Sequence, residues 1–358
     1  MFHVYQKHIG VHWGYLQTDA SERQHMATIS DIARQANVSR TLVSRVLNNK
    51  PGVSPENRQK ILEVIRENHY IPNGLAKSLV LQRTNTIGVV MDDLCNDFFF
   101  DLIAGLQDGA EARDYNILFC SGRKDMSAKL KYVDYFTEGR ADGIIAYGSR
   151  LDDETLFRSI DQKAANSVLI ESNLSSCNSD KVLLDNFRGA YTATEHLIRQ
   201  GHKNIIHVTC DMNYDVGLER LNGFVQAMHD HKMPLGPDSI LYADHFEHVA
   251  YQQMKKRLSE GTRPDACFAG ADKPAFGVLR AALEAGLSIP RDLSVIGFDD
   301  DRPESNDILF PALSTMRQPL YEMGKAGIDL LLDKIEHPDR EPVVRKFEAE
   351  LVLRETCL

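Results

Sequence analysis

The sequence predicts an α/β protein in two parts: a three-helix N-terminal headpiece built on a helix-turn-helix, and a two-lobed core of doubly wound parallel sheets. Three observations lead there. Residues 29–48 carry apolar side chains at helical spacing on two short segments separated by a tight turn. From Thr86 onward, short apolar runs alternate with amphipathic stretches of helical length. Charge is divided between the two parts. Residues 26–83 hold nine Lys/Arg (Arg34, Arg40, Arg45, Lys50, Arg58, Lys60, Arg66, Lys77, Arg83) against four acids (Asp31, Glu56, Glu63, Glu67), a net +5. Residues 1–25 balance at zero and the whole chain carries −10, which leaves −15 on residues 84–358. A small basic head on an acidic body suits a protein that meets a polyanion with one end only.

The first helix is expected around Ile29, Ile32, Ala33 and Ala36, and the second around Val38, Leu42, Val43, Val46 and Leu47. Ser39 is a suitable N-cap for the second, because its hydroxyl accepts from a free amide of the first turn. The outward positions there are Arg40, Thr41, Ser44, Arg45 and Asn48, all hydrogen-bond donors and none acidic. An apolar inner face with a donor-rich outer face is what a helix-turn-helix presents to the DNA major groove; a surface helical hairpin is the competing reading. Asn48-Asn49-Lys50-Pro51-Gly52 reads as a turn, after which Ser54 and Pro55 start a third helix with Ile61, Leu62, Val64 and Ile65 available for a core. Ile71-Pro72-Asn73-Gly74 breaks the chain. Leu75–Val80 is then too short to be a stable helix alone, though Leu75 and Leu79 share a face.

In the core, strands are expected at Ile87–Met91, Asn116–Cys120, Gly143–Tyr147, Ser167–Ile170, Lys181–Leu184, Asn204–Thr209, Ser239–Tyr242, Ala266–Ala269 and Ser294–Phe298. Helices are expected to begin near Phe98, Ala128, Asp153, Phe187, Tyr214, His248, Lys273 and Leu320. Nearly all-apolar strands alternating with helices mean parallel sheets covered on both faces, and this many strands divide more economically between two lobes than into one sheet. Ligands of such sheets bind at the C-terminal ends of the strands.

At 43% hydrophobic residues the 358-residue chain can build ordinary globular cores. Its six cysteines (Cys95, Cys120, Cys177, Cys210, Cys267, Cys357) have no C-x-x-C pair, which suits free thiols in a reducing compartment. No apolar run approaches a membrane span and residues 1–25 lack the plan of a signal peptide, so a cytoplasmic protein is expected, with no membrane partner. Residues 1–26, with His3, His8, His12, His25 and Trp13, are expected to be a disordered extension or sequence upstream of a start at Met26. The histidine spacing fits no metal site, and no metal or cofactor is expected.

Several short motifs occur in a fixed order: Thr28-Ile29-Ser30-Asp31-Ile32-Ala33, Val43-Ser44-Arg45-Val46-Leu47-Asn48, Tyr70-Ile71-Pro72-Asn73, Ile87-Gly88-Val89-Val90, Ala141-Asp142-Gly143, Asp185-Asn186, Arg220-Leu221-Asn222-Gly223-Phe224, Gly297-Phe298-Asp299 and Leu353-Arg354-Glu355. In this order and spacing the chain resembles the LacI/GalR family of bacterial transcription regulators, from residue 27 to about residue 356. The resemblance implies a DNA-binding headpiece over residues 27–71, a hinge helix and linker over 72–85, and an effector-binding, dimerising core over 86–358. That core would resemble the periplasmic sugar-binding proteins, with one lobe of about 86–185 and 318–346 and the other of about 186–317 and 347–358. It further implies a homodimer on pseudo-palindromic operator DNA, with a small effector in the cleft changing the order or spacing of the hinges. No C-terminal leucine heptad follows Leu353-Arg354-Glu355, so a dimer rather than a tetramer is expected, and the first core helix, from Phe99 through Asp101, Leu102, Leu106 and Gly109, resembles the one that forms much of the family's dimer face.

Residue roles implied by the resemblance follow. Arg40 and Thr41 fall where family members differ to set operator preference, Arg40 either pairing a guanine bidentately or meeting a phosphate. Arg45 matches an arginine used on DNA. Thr28, Ser39, Ser44 and Asn48 match polar positions that orient the head on phosphates. Leu42 replaces a common threonine, so a phosphate contact gives way to a thymine methyl. Leu79 matches the wedge that enters the minor groove, with Lys77 and Asn73 beside it. In the core, Arg220 and Asp299 match effector-contacting positions, and their competing reading is a structural ion pair across the cleft. Glu171 stands where relatives often place an aspartate. Phe98 and Phe99 can stack on a sugar face, though one of Phe98, Phe99 and Phe100 is core. Asp272 either touches ligand or caps its helix, and His245, Phe246 and Gln318 complete the candidates. A carbohydrate effector is expected ahead of a purine or another polar metabolite, with a phosphorylated protein co-regulator also open. A transport-type sugar-binding protein and an enzyme compete with a repressor. The basic head argues against the first, and the absence of G-x-S-x-G, P-loop and metal motifs against the second.

Overall fold

The computed structural model describes residues 27–48, 50–70, 83–123, 125–148, 150–172, 177–301 and 310–357. Asn73, Lys77 and Leu79 of the expected hinge, and the histidine-rich extension, lie outside the described residues. The chain divides into two compact units, residues 1–82 and 83–358.

In the first unit, helix α1 (Ile29–Gln35) opens on a reciprocal cap. The Thr28 hydroxyl accepts from the Asp31 amide at 3.3 Å, while the Asp31 carboxylate accepts from the Thr28 amide at 3.0 Å. Asn37, at φ 51°, turns the chain into α2 (Arg40–Leu47), which is capped by Ser39 accepting from Leu42 N at 3.2 Å. Ser54 caps α3 (Pro55–Glu67), with Pro55 in its first turn. Ile32, Ala33, Ala36, Val43, Val46 and Ile61 form the core between the three. Leu62, expected in that core, is exposed, because Ile61 already faces inward and its neighbour must point away. Leu42 is half-buried against the core, so its apolar contact is at least partly internal.

The second unit holds two six-stranded sheets. The first combines β1 (Thr86–Met91), β2 (Asn116–Ser121), β3 (Gly143–Tyr147), β4 (Ser167–Ile170), β5 (Asp180–Leu184) and β11 (Val344–Phe347), in the order β11-β5-β4-β3-β1-β2, all parallel. The second combines β6 (Ile205–Val208), β7 (Ile240–Leu241), β8 (Ala266–Ala269), β9 (Ser294–Asp299), β10 (Ser314–Arg317) and β12 (Glu350–Val352), in the order β12-β10-β9-β8-β6-β7. Its edge strand β12 runs antiparallel to β10, an exception to the all-parallel expectation. Strands β10, β11 and β12 are additional to those expected.

The covering helices are α4 (Phe100–Glu111), α5 (Met126–Thr137), α6 (Glu154–Lys163), α7 (Asn186–Arg199), α8 (Asp215–Asp230), α9 (Glu247–Ser259), α10 (Asp272–Glu284) and α11 (Leu320–Glu336). Helix α11 packs on the first sheet and α7 on the second, so the chain crosses between lobes after β5, after β10 and after β11. Helices α4 and α11 meet closely at Gly105, where a Cβ would lie 2.0 Å from the Tyr321 carbonyl oxygen. Leu102, Leu106 and Gly109 of this helix, which resembles the family's dimer-face helix, are thereby buried inside the protomer. Phe100, Asp101, Gln107, Asp108 and Glu111 are the exposed positions of α4, so Phe100 is not the core member of the Phe98–Phe100 run.

Candidate functional site

Two surfaces carry functional chemistry. On the headpiece, Arg40, Thr41, Arg45 and Asn48 are exposed on α2 and Ser44 is half-buried. The side chains of Arg40 and Thr41 hydrogen-bond to no other described residue, which leaves their donors available. Arg45 reaches the Pro51 carbonyl at 3.5 Å, and the Asn48 amide donates to the Ser44 carbonyl at 2.8 Å. The hydroxyls of Thr28 and Ser39 are engaged in capping. Arg40, Thr41, Arg45 and Asn48 thus give α2 and its C-terminal end an exposed set of donor side chains, as phosphate and base-edge recognition requires.

The second surface is a cavity of about 340 Å³ between the two sheets of the second unit, within the size range of small-molecule sites. Strand ends build it: Asp92 follows β1, Tyr147 ends β3, Glu171 follows β4 and Asp299 ends β9. Arg220, on α8, is 3% exposed and anchors the floor. Its Nε donates to Asn186 Oδ1 at 2.9 Å, and its Nη1 donates to the Gly270 carbonyl at 2.7 Å and pairs with Asp299 Oδ1 at 3.1 Å. The guanidinium lies 3.8 Å from the centroid of the Phe298 ring. Nη2 bonds to no described residue, so its two N–H groups are left for a cleft occupant.

The arginine is held in place by a chain of hydrogen bonds that spans both lobes. Asn186, at the start of α7, donates to Glu171 Oε2 at 3.1 Å, and Glu171 Oε1 accepts from Leu184 N at 2.7 Å. On the other side, Gln318 donates to Asp299 Oδ1 at 2.6 Å. Burial pushes Glu171 up to about 7, against the hydrogen bonds that favour its carboxylate. Asp299 is pushed up to about 6 by burial, with Arg220 opposing.

Close helix packing sets this geometry. A Cβ on Gly223 would lie 2.3 Å from the Phe187 carbonyl oxygen, so α7 and α8 approach at backbone distance one turn from Arg220 and beside Asn186.

The expected effector residues separate into two layers. Phe98, Phe99, Glu171, Arg220, His245, Phe246 and Asp299 line the cavity. Phe99 is largely core, edge-on to Tyr147 at 4.9 Å, whereas Phe98 is half-buried. Asp272 and Gln318 stand behind the wall. Asp272 does not cap its helix: the N-cap is Ala271, and the carboxylate accepts instead from Thr315 Oγ1 and Asp301 N, each at 2.7 Å. Burial raises it well above the usual carboxylate range. It thereby ties Asp301 to β10.

Sequence reasoning did not single out Asn186, Tyr147, Tyr214, Asp92 or Lys129. Asn186 belongs to the Asp185-Asn186 motif, yet its link to Arg220 needs the fold. Lys129 had a visible signal, since it falls on the apolar stripe of α5 with Val133 and Phe136. It is 1% exposed, bonds Asp153 at 2.6 Å and pairs with Asp92, whose carboxylate reaches the cavity. The two carboxylates outweigh the burial that opposes its charge and raise its pKa.

A donor-lined helix-turn-helix attached to a two-lobed sheet body with an interlobe cavity defines a DNA-binding regulator with a ligand site. Comparison with known proteins makes that specific. Residues 28–73 match the family described as "Bacterial regulatory proteins, lacI family", and residues 194–357 match a "Periplasmic binding protein-like domain". The HTH-type transcriptional regulator RegA of Clostridium saccharobutylicum is 32% identical over 93% of this chain and 100% of its own. The lac repressor dimer bound to operator and the anti-inducer ONPF superposes with a TM-score of 0.80 at 25% identity, over 93% of this chain and 99% of that one. A LacI family regulator from Enterococcus faecium with bound ribose gives a TM-score of 0.64 at 28% identity, over 76% of this chain and 98% of that one. The chain belongs to the LacI family of bacterial transcriptional regulators.

Proposed function

We propose that this regulator is a cytoplasmic, dimeric repressor whose grip on a pseudo-palindromic operator is set by a sugar bound between its core lobes. The observation that carries the sugar reading is Arg220: buried, fixed by Asn186, Gly270 and Asp299, and with Nη2 left over at the cavity. A guanidinium edge beside a carboxylate is suited to neighbouring hydroxyls of a sugar, the first donating and the second accepting. Half-buried Phe98 and the Tyr214 and His245 rings, 5.2 Å apart, add apolar faces. The ribose held by the Enterococcus faecium relative supports the same class.

On DNA, two copies of α2 would read two half-sites, with Arg40 and Thr41 on base edges and Arg45, Ser44 and Asn48 on the backbone. The operator-bound lac repressor dimer supports this arrangement. The sugar would shift the lobes and thereby the hinge around Leu79.

The test is a thermal-shift screen of the full chain against pentoses, hexoses, disaccharides and polyols at millimolar concentration. A ligand at 100 times its Kd stabilises by about 2.7 kcal/mol. The expected outcome is a sugar hit that disappears in Arg220→Ala while that variant still binds operator DNA selected from a random library. A hit that survives Arg220→Ala places the ligand elsewhere.

A further inference from the structure

The cavity wall is unbalanced in charge. Five carboxyl groups line it, Asp92, Asp93, Glu171, Asp299 and Asp301, against two cations, Arg220 and Lys273. Fully ionised, that is a formal −3; with Glu171 protonated it is still −2, and a protonated His245 at the wall leaves it negative. Both cations are already matched. Arg220 pairs with Asp299 at 3.1 Å, and Lys273 Nζ lies 3.7 Å from Asp301 Oδ2. Immediately behind the wall, Lys129 is held between Asp92 and Asp153 and brings no surplus positive charge. Among the described residues, no unmatched cation faces the cavity. Phe98, Tyr147 and Tyr214 also line the cavity, and aromatic rings attract rather than repel cations.

We propose that the cleft takes a sugar without phosphate or carboxylate groups, and that an amine on that sugar strengthens binding. This rests on the sugar reading above and adds the charge class of the ligand. A phosphate entering the cleft meets carboxylates that no free cation among the described residues offsets, in a site where water is partly excluded and repulsion is poorly screened. It also has to share Arg220 with Asp299, so two buried anions would divide a single positive charge. A neutral sugar does neither: its hydroxyls donate to carboxylate oxygens and accept from Arg220 Nη2. An ammonium group goes further, because it supplies the positive charge the wall lacks.

The experiment is titration calorimetry of the full chain with matched sets: ribose and ribose 5-phosphate, then glucose, glucosamine, glucuronate and glucose 6-phosphate. In whichever set responds, the parent sugar is expected to bind, the amine derivative to bind roughly threefold tighter or better, and the anionic derivatives roughly tenfold weaker or more. Asp301→Asn, which releases Lys273, is expected to narrow the gap between parent and phosphate. An anionic derivative that binds as tightly as its parent overturns the inference and leaves the sugar reading standing. A gap unchanged in Asp301→Asn also overturns it, because charge is then not the cause. Silence across both sets, with no sugar hit in the thermal-shift screen either, overturns the sugar reading and this inference with it.

Discussion

Glu171 concentrates the physical chemistry of the site in one carboxyl. It is 5% exposed, adopts φ 61° after β4, and accepts from Leu184 N and Asn186 Nδ2. Burial raises it from an ordinary 4.5 to about 7. The folded state therefore binds more protons than the unfolded chain between those values, and this group's contribution to stability falls as pH rises through that window. The full effect, reached above pH 7, is on the order of 3 kcal/mol. Glu171→Gln removes the titration, and with it the loss at high pH, and adds a constant cost of about 1 kcal/mol because its amide faces the Asn186 amide, donor to donor. Urea denaturation at pH 5 and pH 8 should show the variant gaining on the parent at the higher pH; a pH-independent difference would sink the account. At this scale the sequence was informative for residues inside motifs, such as Arg220 and Asp299. It was silent on partners brought together by the fold: Asn186 lies 34 residues from Arg220, and Lys129 lies 24 from Asp153.

Elements were legible where burial is two-sided. The strands expected at Gly143–Tyr147, Ser167–Ile170 and Ala266–Ala269 have the observed bounds, since each is wholly or almost wholly buried and apolar apart from Ser167. Strands β11 and β12 escaped notice because they are exposed edge strands, and β10 because two of its three buried positions, one on each face, are Ser314 and Thr315, which bond Cys357 O and Asp272. Helix α4 was legible as a helix, but its buried face was not assigned to α11, because helical spacing identifies an apolar face without identifying its partner. The Gly105 contact tests that packing. A methyl there meets the Tyr321 carbonyl at 2.0 Å, a backbone atom that cannot swing aside, whereas one on Gly109 meets Ile328 side-chain atoms at 3.2 Å or more. Gly105→Ala should therefore destabilise by about 1–3 kcal/mol or more, and Gly109→Ala by much less, being offset by the better helix propensity of alanine. Equal shifts in denaturation midpoint for the two variants would mean that α4 and α11 do not pack at backbone distance.

Across the whole second unit, the two lobes are joined by three crossings and touch again near the cavity. Leu151 N, after β3, donates to the Asn213 carbonyl before α8 at 3.0 Å, and Arg150 pairs in a backbone bridge with Tyr214. The Arg150 guanidinium lies 5.5 Å from the Tyr214 ring centroid and is held by Asp152 at 2.8 Å. Tyr214 lines the cavity and Arg150 does not, so Arg150 can influence a ligand only through the arrangement of the lobes. A contact made across the lobes favours the closed arrangement, and its loss reduces the fraction of molecules ready to hold ligand. Affinity falls by the same fraction. Arg150→Ala is expected to weaken effector binding roughly three- to tenfold, about 0.7–1.4 kcal/mol, without altering the bound site. Small-angle scattering should then show a larger ligand-free radius of gyration for the variant and the parental value at saturating effector. If affinity fell with no change in ligand-free scattering, Arg150 would act on the ligand through Tyr214 rather than on closure. If neither changed, the interlobe contact would carry no energy.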